Sequence, residues 1–249
     1  MTELPEILTA LAAPPPLQHG QALFLDVDGT LCGITARPGD VAFDDALRRR
    51  LAAAAEHLSG AVALVSGRPL AWLANEAGGL PLALAGTHGL EIRHADGREA
   101  LAPLRPGLAA ARAAVRDFAT VHPDVVVENK ARGLAIHYRM ALRSADAVLA
   151  FAEDLARRHD LPLQHGKLVV ELKGGDGDKG AAITTLLQQP PFAGRRPVFA
   201  GDDETDEAAF RVVAAAGGTG ILVGPPRPTA ASHGLAHPQA VHAWLEALA

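Results

Sequence analysis

The sequence predicts an α/β protein whose core is a doubly wound, Rossmann-like parallel sheet interrupted by an inserted α+β domain. Short apolar runs alternate with helical stretches at both ends of the chain, and each run ends in small or acidic residues. Such runs are typical of parallel strands that are buried on both faces. Between 103 and 173 the pattern changes to amphipathic helices and alternating strands. We therefore predict a core formed by 1–102 and 174–249, with 103–173 inserted.

The first part of the core should alternate between strand and helix. A short opening helix is expected before the proline run at 14–16. Helical periodicity and apolar runs then predict, in order, a strand at 22–25, a helix at 44–57, a strand at 61–65, a helix at 70–77 and a strand at 80–85. Because right-handed βαβ units place successive parallel strands in one sheet, these strands should lie together.

The insert and the second part of the core follow. In the insert we expect helices at 108–118 and 145–158 and strands at 125–127, 133–138 and 168–172. The core should resume with a helix at 179–187 and strands at 197–200 and 220–223, the last being the final strand. His233 and His237 are interpreted as loop histidines, because Gly234 and Pro238 disfavour a helix that would bring them together.

Composition limits the function classes. The chain has 249 residues and a net charge of −5, so it lacks the basic surface that nucleic-acid binding requires. No apolar run reaches the roughly 20 residues that span a bilayer, and the N-terminus lacks the basic region of a signal peptide. Cys32 is the only cysteine, and we interpret it as a bystander thiol. We expect a cytoplasmic monomer that contacts neither nucleic acid nor membrane.

The segment Asp26-Val27-Asp28-Gly29-Thr30 is the strongest chemical signal. Asp26 ends a predicted parallel strand, where α/β sheets place their reactive groups, and its carboxylate could attack phosphorus. Asp28 could protonate the leaving oxygen and then deprotonate water. Gly29 would allow a tight turn beneath a phosphate, and the Thr30 hydroxyl could orient the nucleophile. The alternative is an acidic turn built on Asp28 and Gly29.

A nucleophilic carboxylate facing a phosphate needs a cation. Two unit charges about 4 Å apart repel by roughly 4 kcal/mol at an effective dielectric of 20. Asp26, Asp202 and a backbone carbonyl such as that of Asp28 would give Mg²⁺ three oxygen ligands. Asp203 would lie in the outer shell of the metal, and Asp206 would hold the loop. The alternative is an acidic helix start at 202–207.

Two further residues suit phosphoryl transfer. Ser66 follows a predicted strand, and its hydroxyl, with the N–H groups of Ser66 and Gly67, could bind phosphate oxygens. Lys179 stands at a predicted helix start and could neutralise charge on the phosphate and on Asp26. The alternatives are an ordinary strand end for Ser66 and an exposed cation at a helix end for Lys179.

Together these residues resemble the haloacid-dehalogenase-type phosphatases, whose four motifs occur here in order at Asp26–Thr30, Ser66, Lys179 and Gly201–Asp203. The chain also resembles the trehalose-6-phosphate phosphatase family from about Gln21 to Leu248. The motifs that carry this resemblance are Val65-Ser66-Gly67-Arg68-Pro69, Gly86-Thr87-His88-Gly89-Leu90-Glu91, Glu128-Asn129-Lys130, His137-Tyr138-Arg139 and Gly201-Asp202-Asp203-Glu204-Thr205-Asp206-Glu207. One departure is Val27, where the family often has an aromatic residue.

The resemblance implies magnesium-dependent hydrolysis of trehalose 6-phosphate, with the insert acting as a cap that sets specificity. It implies Asp26 as nucleophile, Asp28 as acid and base, and a magnesium site formed by Asp26, Asp28 and Asp202. The cap residues that it implies for sugar binding are Glu128, Lys130 and Glu171, and the residues lining the cleft are Arg68 and His88. His137 and Arg139 would serve the cap's own structure.

Three alternatives stay open beside this interpretation. A phosphatase for another sugar phosphate, or a phosphomutase, would use the same core. A non-catalytic binding module would be expected to lack an essential residue, and none is missing here. From alternation alone, the solvated face of a sheet is the favoured interpretation for Glu128, Lys130, His137 and Arg139.

Overall fold

A computed structural model describes residues 10–35, 38–166 and 168–247 of the chain, without the side chain of Pro38. The predicted opening helix falls largely before these ranges, outside the described residues. The chain divides into two compact units. The first unit comprises 1–100 and 178–249, and the second comprises 101–177. None of the described helices combines the length and the apolar character needed to cross a bilayer.

The strands are β1 (Gln21–Leu25), β2 (Val62–Val65), β3 (Ala83–Gly86), β4 (Glu91–Arg93), β5 (Glu99–Leu101), β6 (Val126–Lys130), β7 (Gly133–His137), β8 (Leu163–Gly166), β9 (Val169–Lys173), β10 (Arg196–Gly201), β11 (Thr219–Val223) and β12 (His233–Leu235). The helices are α1 (Asp45–His57), α2 (Leu70–Ala77), α3 (Gly107–Val121), α4 (Ala145–His159), α5 (Lys179–Leu187), α6 (Glu207–Ala215) and α7 (Pro238–Glu246).

One large sheet organises the first unit. Its strand order is β12-β11-β10-β1-β2-β3-β4-β5. The six strands from β12 to β3 are parallel, whereas β4 runs antiparallel to β3. The chain moves outward from β1 through β2 to β3, and in the opposite direction from β10 through β11 to β12. The switch point therefore lies between β1 and β10, and the predicted doubly wound sheet is confirmed.

The burial of these strands explains why the sequence predicts them. Leu23, Phe24 and Leu25 of β1 have no exposed surface, and the same holds for all of β2. A parallel strand with helices on both faces has no polar side, so its sequence is a continuous apolar run. The helices begin at recognisable caps, as at α1, where the Asp44 carboxylate accepts a hydrogen bond from the N–H of Leu47 at 2.6 Å.

The second unit is an antiparallel sheet packed on two helices. Its strand order is β6-β7-β9-β8, and every neighbouring pair is antiparallel. Leu134, Ile136, Val170 and Leu172 point from the central strands into a core shared with α3 and α4. The intervening residues of β6, β7 and β9 form the other face of the sheet, which carries the polar side chains.

The C-terminal region differs from the prediction. The strand at 219–223 is not the final one, because His233 begins β12, which pairs in parallel with β11. His233 is therefore in a strand rather than a loop. His237 is the N-cap of α7, and its ring accepts from the N–H of Ala240 at 3.2 Å. Pro238 occupies the first helical turn, where a missing N–H costs nothing, so it starts a helix instead of preventing one.

Candidate active site

A buried ion cluster lies at the switch point between β1 and β10. Asp26 directly follows β1, and its N–H donates to the carbonyl of Ala200 in β10 at 3.0 Å. Lys179, the first residue of α5, donates from Nζ to Asp26 Oδ1 at 2.7 Å and to Asp206 Oδ1 at 2.6 Å. The three side chains are at most 4% exposed. Sequence analysis expected the contact between Lys179 and Asp26.

Asp206 fixes the loop that follows β10. Its Oδ2 accepts hydrogen bonds from the N–H groups of Asp202, at 2.8 Å, and Asp203, at 3.1 Å. A Cβ at Gly201 would lie 2.4 Å from Asp206 Cγ, so only glycine permits this close approach. The carboxylate of Asp203 is exposed and accepts from Thr205 N–H and Oγ1. Asp203 thus caps the short helical turn 204–206.

Asp202 completes a group of three carboxylates. Oxygen atoms of Asp26, Asp202 and Asp206 lie within 4.8 Å of one another. The turn after β1 is shaped to receive Asp202, because Gly29 has a φ of 85° and a Cβ there would lie 1.9 Å from Asp202 Oδ2. The glycine of the first motif therefore lets the two strand-end loops approach each other.

The charges in this group are not balanced. Burial raises the pKa of Asp26 well above its ordinary value; Lys179 opposes this effect, whereas Asp206 and Asp202 reinforce it. Burial, together with the charges of Asp206 and Asp203, raises the pKa of Asp202 to about 7. For Lys179, burial lowers the pKa, but the neighbouring carboxylates outweigh that effect and raise it. One ammonium contacts the buried carboxylates of Asp26 and Asp206, and the half-buried carboxylate of Asp202 lies beside them, so a further cation would relieve their repulsion.

The donor set fits a hard divalent cation. All three members offer carboxylate oxygen, the ligand type that Mg²⁺ prefers. Both oxygen atoms of Asp206 already accept hydrogen bonds from nitrogen. Asp26 and Asp202 are therefore the better placed to turn an oxygen toward a metal. Within the described residues, the side chain of Asp28 is not part of this group.

Asp28 is instead held by Arg68. The Arg68 Nε donates to Asp28 Oδ2 at 2.8 Å, and Nη2 donates to Oδ1 at 2.5 Å. The guanidinium carbon lies 4.4 Å from the ring centroid of Trp72, which makes an edge contact with Phe43. A bidentate pair stacked on an aromatic ring fixes the Arg68 fork in one orientation. Sequence analysis expected Arg68 in a substrate cleft and did not anticipate its pairing with Asp28.

Ser66 and Thr30 are both buried beside these residues. Ser66 follows β2, is 1% exposed, and accepts from the N–H of Arg68 at 3.2 Å. The hydroxyl of Thr30 has no surface exposure and makes no hydrogen bond within the described part of the chain. The predicted contact by which Thr30 would orient Asp26 is therefore not observed.

His88 sits in a strained turn after β3. Thr87 and His88 have φ angles of 47° and 54°, in the left-handed region that costs a non-glycine residue on the order of 1–3 kcal/mol. The turn is held by Glu91, whose Oε2 accepts from the Thr87 hydroxyl at 2.6 Å and from the N–H of Leu70 at 3.1 Å. The His88 ring covers Gly67, whose hypothetical Cβ would be 2.7 Å from Nε2. His88 therefore lies beside the segment that carries Ser66.

The second unit brings its predicted residues together on one face. Glu128 in β6 and Glu171 in β9 both pair with Ala135 of β7, so the two carboxylates flank a small side chain. Lys130 Nζ donates to Glu171 Oε1 at 2.6 Å. His137 Nε2 lies 3.0 Å from Glu128 Oε2. This face therefore carries the Lys130–Glu171 ion pair and the His137–Glu128 contact, with the small side chain of Ala135 between the two carboxylates.

Two residues make contacts with candidate site residues that sequence analysis did not predict. His137 was expected to serve the structure of the insert, and its contact with Glu128 lies within that unit; the antiparallel register of β6 and β7, once known, would have indicated this contact. Arg227, in the loop after β11, donates to the backbone oxygen of Asp203 at 2.6 Å. The only signal for Arg227 is its place after the carboxyl end of a core strand, which many surface residues share.

Cys32 should react slowly with alkylating reagents. Burial and the nearby charge of Asp28 raise the pKa of its thiol to about 11, so at pH 8 roughly a thousandth of it is thiolate. We expect iodoacetamide to modify the folded protein at least about tenfold more slowly than an unstructured cysteine peptide, after allowing for the greater nucleophilicity of a high-pKa thiolate. Mass spectrometry would measure the rates, and denatured protein is the control. Equal rates in folded and denatured protein would contradict a bystander thiol.

Comparison with known proteins identifies related sequences and folds. The family described as trehalose-phosphatase matches residues 24–238. The chain is 39% identical over 215 residues to a probable trehalose-phosphate phosphatase of Sinorhizobium fredii, covering 86% of this chain and 81% of that protein. It is 37% identical over 239 residues to the trehalose-6-phosphate phosphatase of Escherichia coli, covering 95% and 89%. The C-terminal domain of Candida albicans trehalose-6-phosphate phosphatase has a similar fold, with a TM-score of 0.80, 22% identity and 92% of each chain covered.

Proposed function

We propose that this chain, which belongs to the trehalose-phosphatase family, hydrolyses trehalose 6-phosphate to trehalose and phosphate. One observation carries the proposal beyond family membership. A carboxylate at the end of β1 contacts a buried lysine and lies within reach of a second strand-end carboxylate, at the switch point of the sheet. This arrangement supplies a nucleophile, a cation and a metal ligand where α/β sheets bind substrates.

Asp26 acts as the nucleophile. Its carboxylate oxygen forms a bond to phosphorus while the bond from phosphorus to the sugar 6-oxygen breaks, and Asp28 gives its proton to that oxygen. Asp28 then takes a proton from water, whose oxygen attacks the aspartyl-phosphate and frees Asp26 and phosphate. The two half-reactions replace one difficult hydrolysis with two easier steps. Lys179 keeps Asp26 oriented, and Ser66 binds a phosphate oxygen.

A magnesium ion would be held by Asp26, Asp202 and an oxygen of Asp28, for which the backbone carbonyl is the better candidate because Arg68 occupies the side chain. When bound, the ion neutralises charge on the phosphate and on the nucleophile. Asp206 keeps the Asp202 loop in place through its two backbone hydrogen bonds. The raised pKa values of Asp26 and Asp202 support a cation at this point.

Arg68 has to change partners during the reaction. Both oxygen atoms of Asp28 accept hydrogen bonds from the Arg68 guanidinium. Asp28 can therefore donate a proton only after at least one of these hydrogen bonds breaks. A phosphate dianion also offers two acceptor oxygens to a guanidinium fork and would compete for Arg68. We infer that substrate binding draws Arg68 toward phosphate and releases Asp28 for proton transfer.

The second unit acts as the cap that recognises the sugar. Glu128, Lys130 and Glu171 lie on one face and carry the donors and acceptors that sugar hydroxyls need. Ala135 between the two carboxylates leaves space for a sugar ring. A site that pairs each hydroxyl rejects sugars that lack one, because a buried polar group would stay unpaired.

A phosphate-release assay tests the proposed function. Trehalose 6-phosphate, glucose 6-phosphate and sucrose 6-phosphate would be compared with Mg²⁺ and with chelator. We expect release from trehalose 6-phosphate in Mg²⁺, none with chelator, and lower kcat/KM for the other sugars. A preference for another sugar would support a different phosphatase. Phosphoryl transfer with little free phosphate would identify a phosphomutase. Absence of turnover with every compound would support a non-catalytic binding module.

Replacement of Glu128 by glutamine should damage sugar recognition while sparing the chemistry. We expect kcat/KM for trehalose 6-phosphate to fall by about tenfold to a hundredfold, because one charged hydrogen bond to a hydroxyl is worth roughly 1–3 kcal/mol. Turnover of p-nitrophenyl phosphate, which has no sugar, should stay within twofold. The matched control is Glu153→Gln, an exposed position on α4 of the same unit. An equal loss with both substrates would contradict a role in sugar binding.

A further inference from the structure

Arg227 connects the loop after β11 to the loop after β10. Its Nη2 donates to the carbonyl of Asp203 at 2.6 Å, and its Nε lies 3.4 Å from the carbonyl of Asp202. Its Nη1 donates to the carbonyl of Pro228 at 3.1 Å and to Glu207 Oε1. One side chain thus joins two loops that stand beside each other at the carboxyl edge of the sheet.

The arginine is itself held in place. Glu207, the first residue of α6, contacts Arg227 with an oxygen that also accepts from the Thr229 hydroxyl at 2.7 Å. Its second oxygen accepts from the N–H of Ala230 at 2.9 Å. The side chains of Arg227 and Glu207 are 22% and 17% exposed. A partly buried fork with a fixed counter-ion is pre-organised, so little side-chain entropy opposes its backbone contacts.

The two peptide groups at Asp202 and Asp203 are consequently held from both sides. Asp206 accepts from their N–H groups, and Arg227 donates toward their carbonyl groups. The Asp202 side chain projects from a backbone whose hydrogen-bonding groups on both sides have protein partners. An outer contact of this kind sets the direction in which a ligand carboxylate points.

We propose that Arg227 is a positioning residue for the magnesium site, acting through the backbone that carries Asp202. This inference rests on the proposed function, because it assumes that Asp202 binds the metal. Two effects of Arg227 oppose each other. Its hydrogen bonds pre-organise Asp202 and favour the metal, while its positive charge disfavours a second cation. The positioning effect dominates, since the guanidinium contacts backbone oxygen and its charge is paired with Glu207.

Calorimetric titration with Mg²⁺ alone, without substrate, tests the proposal. We expect Arg227→Ala to weaken Mg²⁺ binding by about tenfold, the usual result of losing an outer contact. Arg227→Lys keeps the charge but lacks the fork, so its binding should be weakened as well. The matched control is Arg195→Ala, which removes donors to the carbonyls of Gln21 and Leu58, at the other end of β1. The control should bind Mg²⁺ within twofold of the unmutated protein.

Kinetics give a second readout that a general loss of structure would not produce. The Mg²⁺ concentration for half-maximal rate should rise about tenfold in Arg227→Ala, while kcat at saturating Mg²⁺ stays within about threefold. Circular dichroism establishes which variants are folded, and Arg227→Lys serves if the alanine variant is not. Binding within twofold of the unmutated protein, or tighter binding from lost charge repulsion, would overturn the proposal. If the unmutated protein fails to bind Mg²⁺, the proposed function falls first and this inference with it.

Discussion

Asp26→Asn should abolish phosphate release from trehalose 6-phosphate while the protein remains folded. An amide oxygen is a far weaker nucleophile than a carboxylate, so we expect kcat to fall by roughly 10⁴-fold or more, as for other covalent nucleophiles. Asparagine has the same shape as aspartate and retains an oxygen that can accept from Lys179, which now contacts Asp26 at 2.7 Å. The loss of activity should therefore not come from a loss of structure.

The measurement is initial-rate phosphate release at saturating Mg²⁺, with thermal unfolding recorded for the same samples. Asp45→Asn is the matched control, since the Asp45 side chain in α1 is 86% exposed; it should keep full activity. Calorimetry should show that Asp26→Asn still binds trehalose 6-phosphate. Residual turnover within tenfold of the unmutated protein would show that Asp26 is not the nucleophile.

The sheet and its reactive edge were predictable because both follow from local sequence. β2 is buried on both faces throughout, and β1 and β10 are buried after their first residue, so each contains a continuous apolar run that is followed by a polar residue. Parallel strands that share a sheet place their carboxyl ends on the same edge. Knowing only that Asp26 and Asp202 follow two such strands, one can expect them to meet, and their oxygen atoms lie within 4.8 Å.

Elements whose stability depends on neighbours could not be predicted. β4, β5 and β12 are three residues long; β12 lies at one edge of the large sheet, and β4 and β5 lie at the opposite end. Three residues carry too little periodicity to distinguish a strand from a loop. The start of α7 could not be predicted for a different reason. Proline is common both in the first turn of a helix and in loops, so Pro238 alone does not distinguish the two.

The sequence also could not predict which side chains contact each other across loops. Arg68 contacts Asp28, 40 residues away, and Arg227 contacts Asp203, 24 residues away. Either arginine could have met another acceptor with a different rotamer or loop path. His137 shows an intermediate case. It lies opposite Val126 in the β6–β7 pairing, so once that register is known, Glu128 is its diagonal neighbour.

Lys179→Met should destabilise the metal-free protein more than replacement of Lys130 or Lys173, the other lysines that the structure describes. Lys179 is 4% exposed and neutralises Asp26 and Asp206, which are 4% and 0% exposed. Removing one partner of a buried ionic group leaves its charges uncompensated, which costs about 3–5 kcal/mol. Methionine fills a similar volume, so this loss comes from charge rather than from a cavity. Turnover should also be lost, because Asp26 loses its orienting contact.

The destabilisation of Lys179→Met should grow with pH between about pH 5 and 8. In the native protein the pKa of Lys179 is raised above 10.5, so its contribution is constant over this range. Without it, the pKa values of Asp26 and Asp202, already raised above 3.8 by burial, rise further. Folded protein then binds more protons than unfolded protein, and stability falls as pH increases, by up to about 1.4 kcal/mol per pH unit for each group.

Urea denaturation in chelator at several pH values between 5 and 8 would measure this effect. Lys130→Met is the comparator: its pair with Glu171 is 11% and 18% exposed, more than the Lys179 cluster, so we expect its loss of stability to be smaller. Adding Mg²⁺ to Lys179→Met should restore part of the lost stability, because a second cation can take over the compensation of Asp26 and Asp202. A small loss that does not vary with pH would mean that the carboxylates at the switch point do not depend on Lys179 for their charge balance.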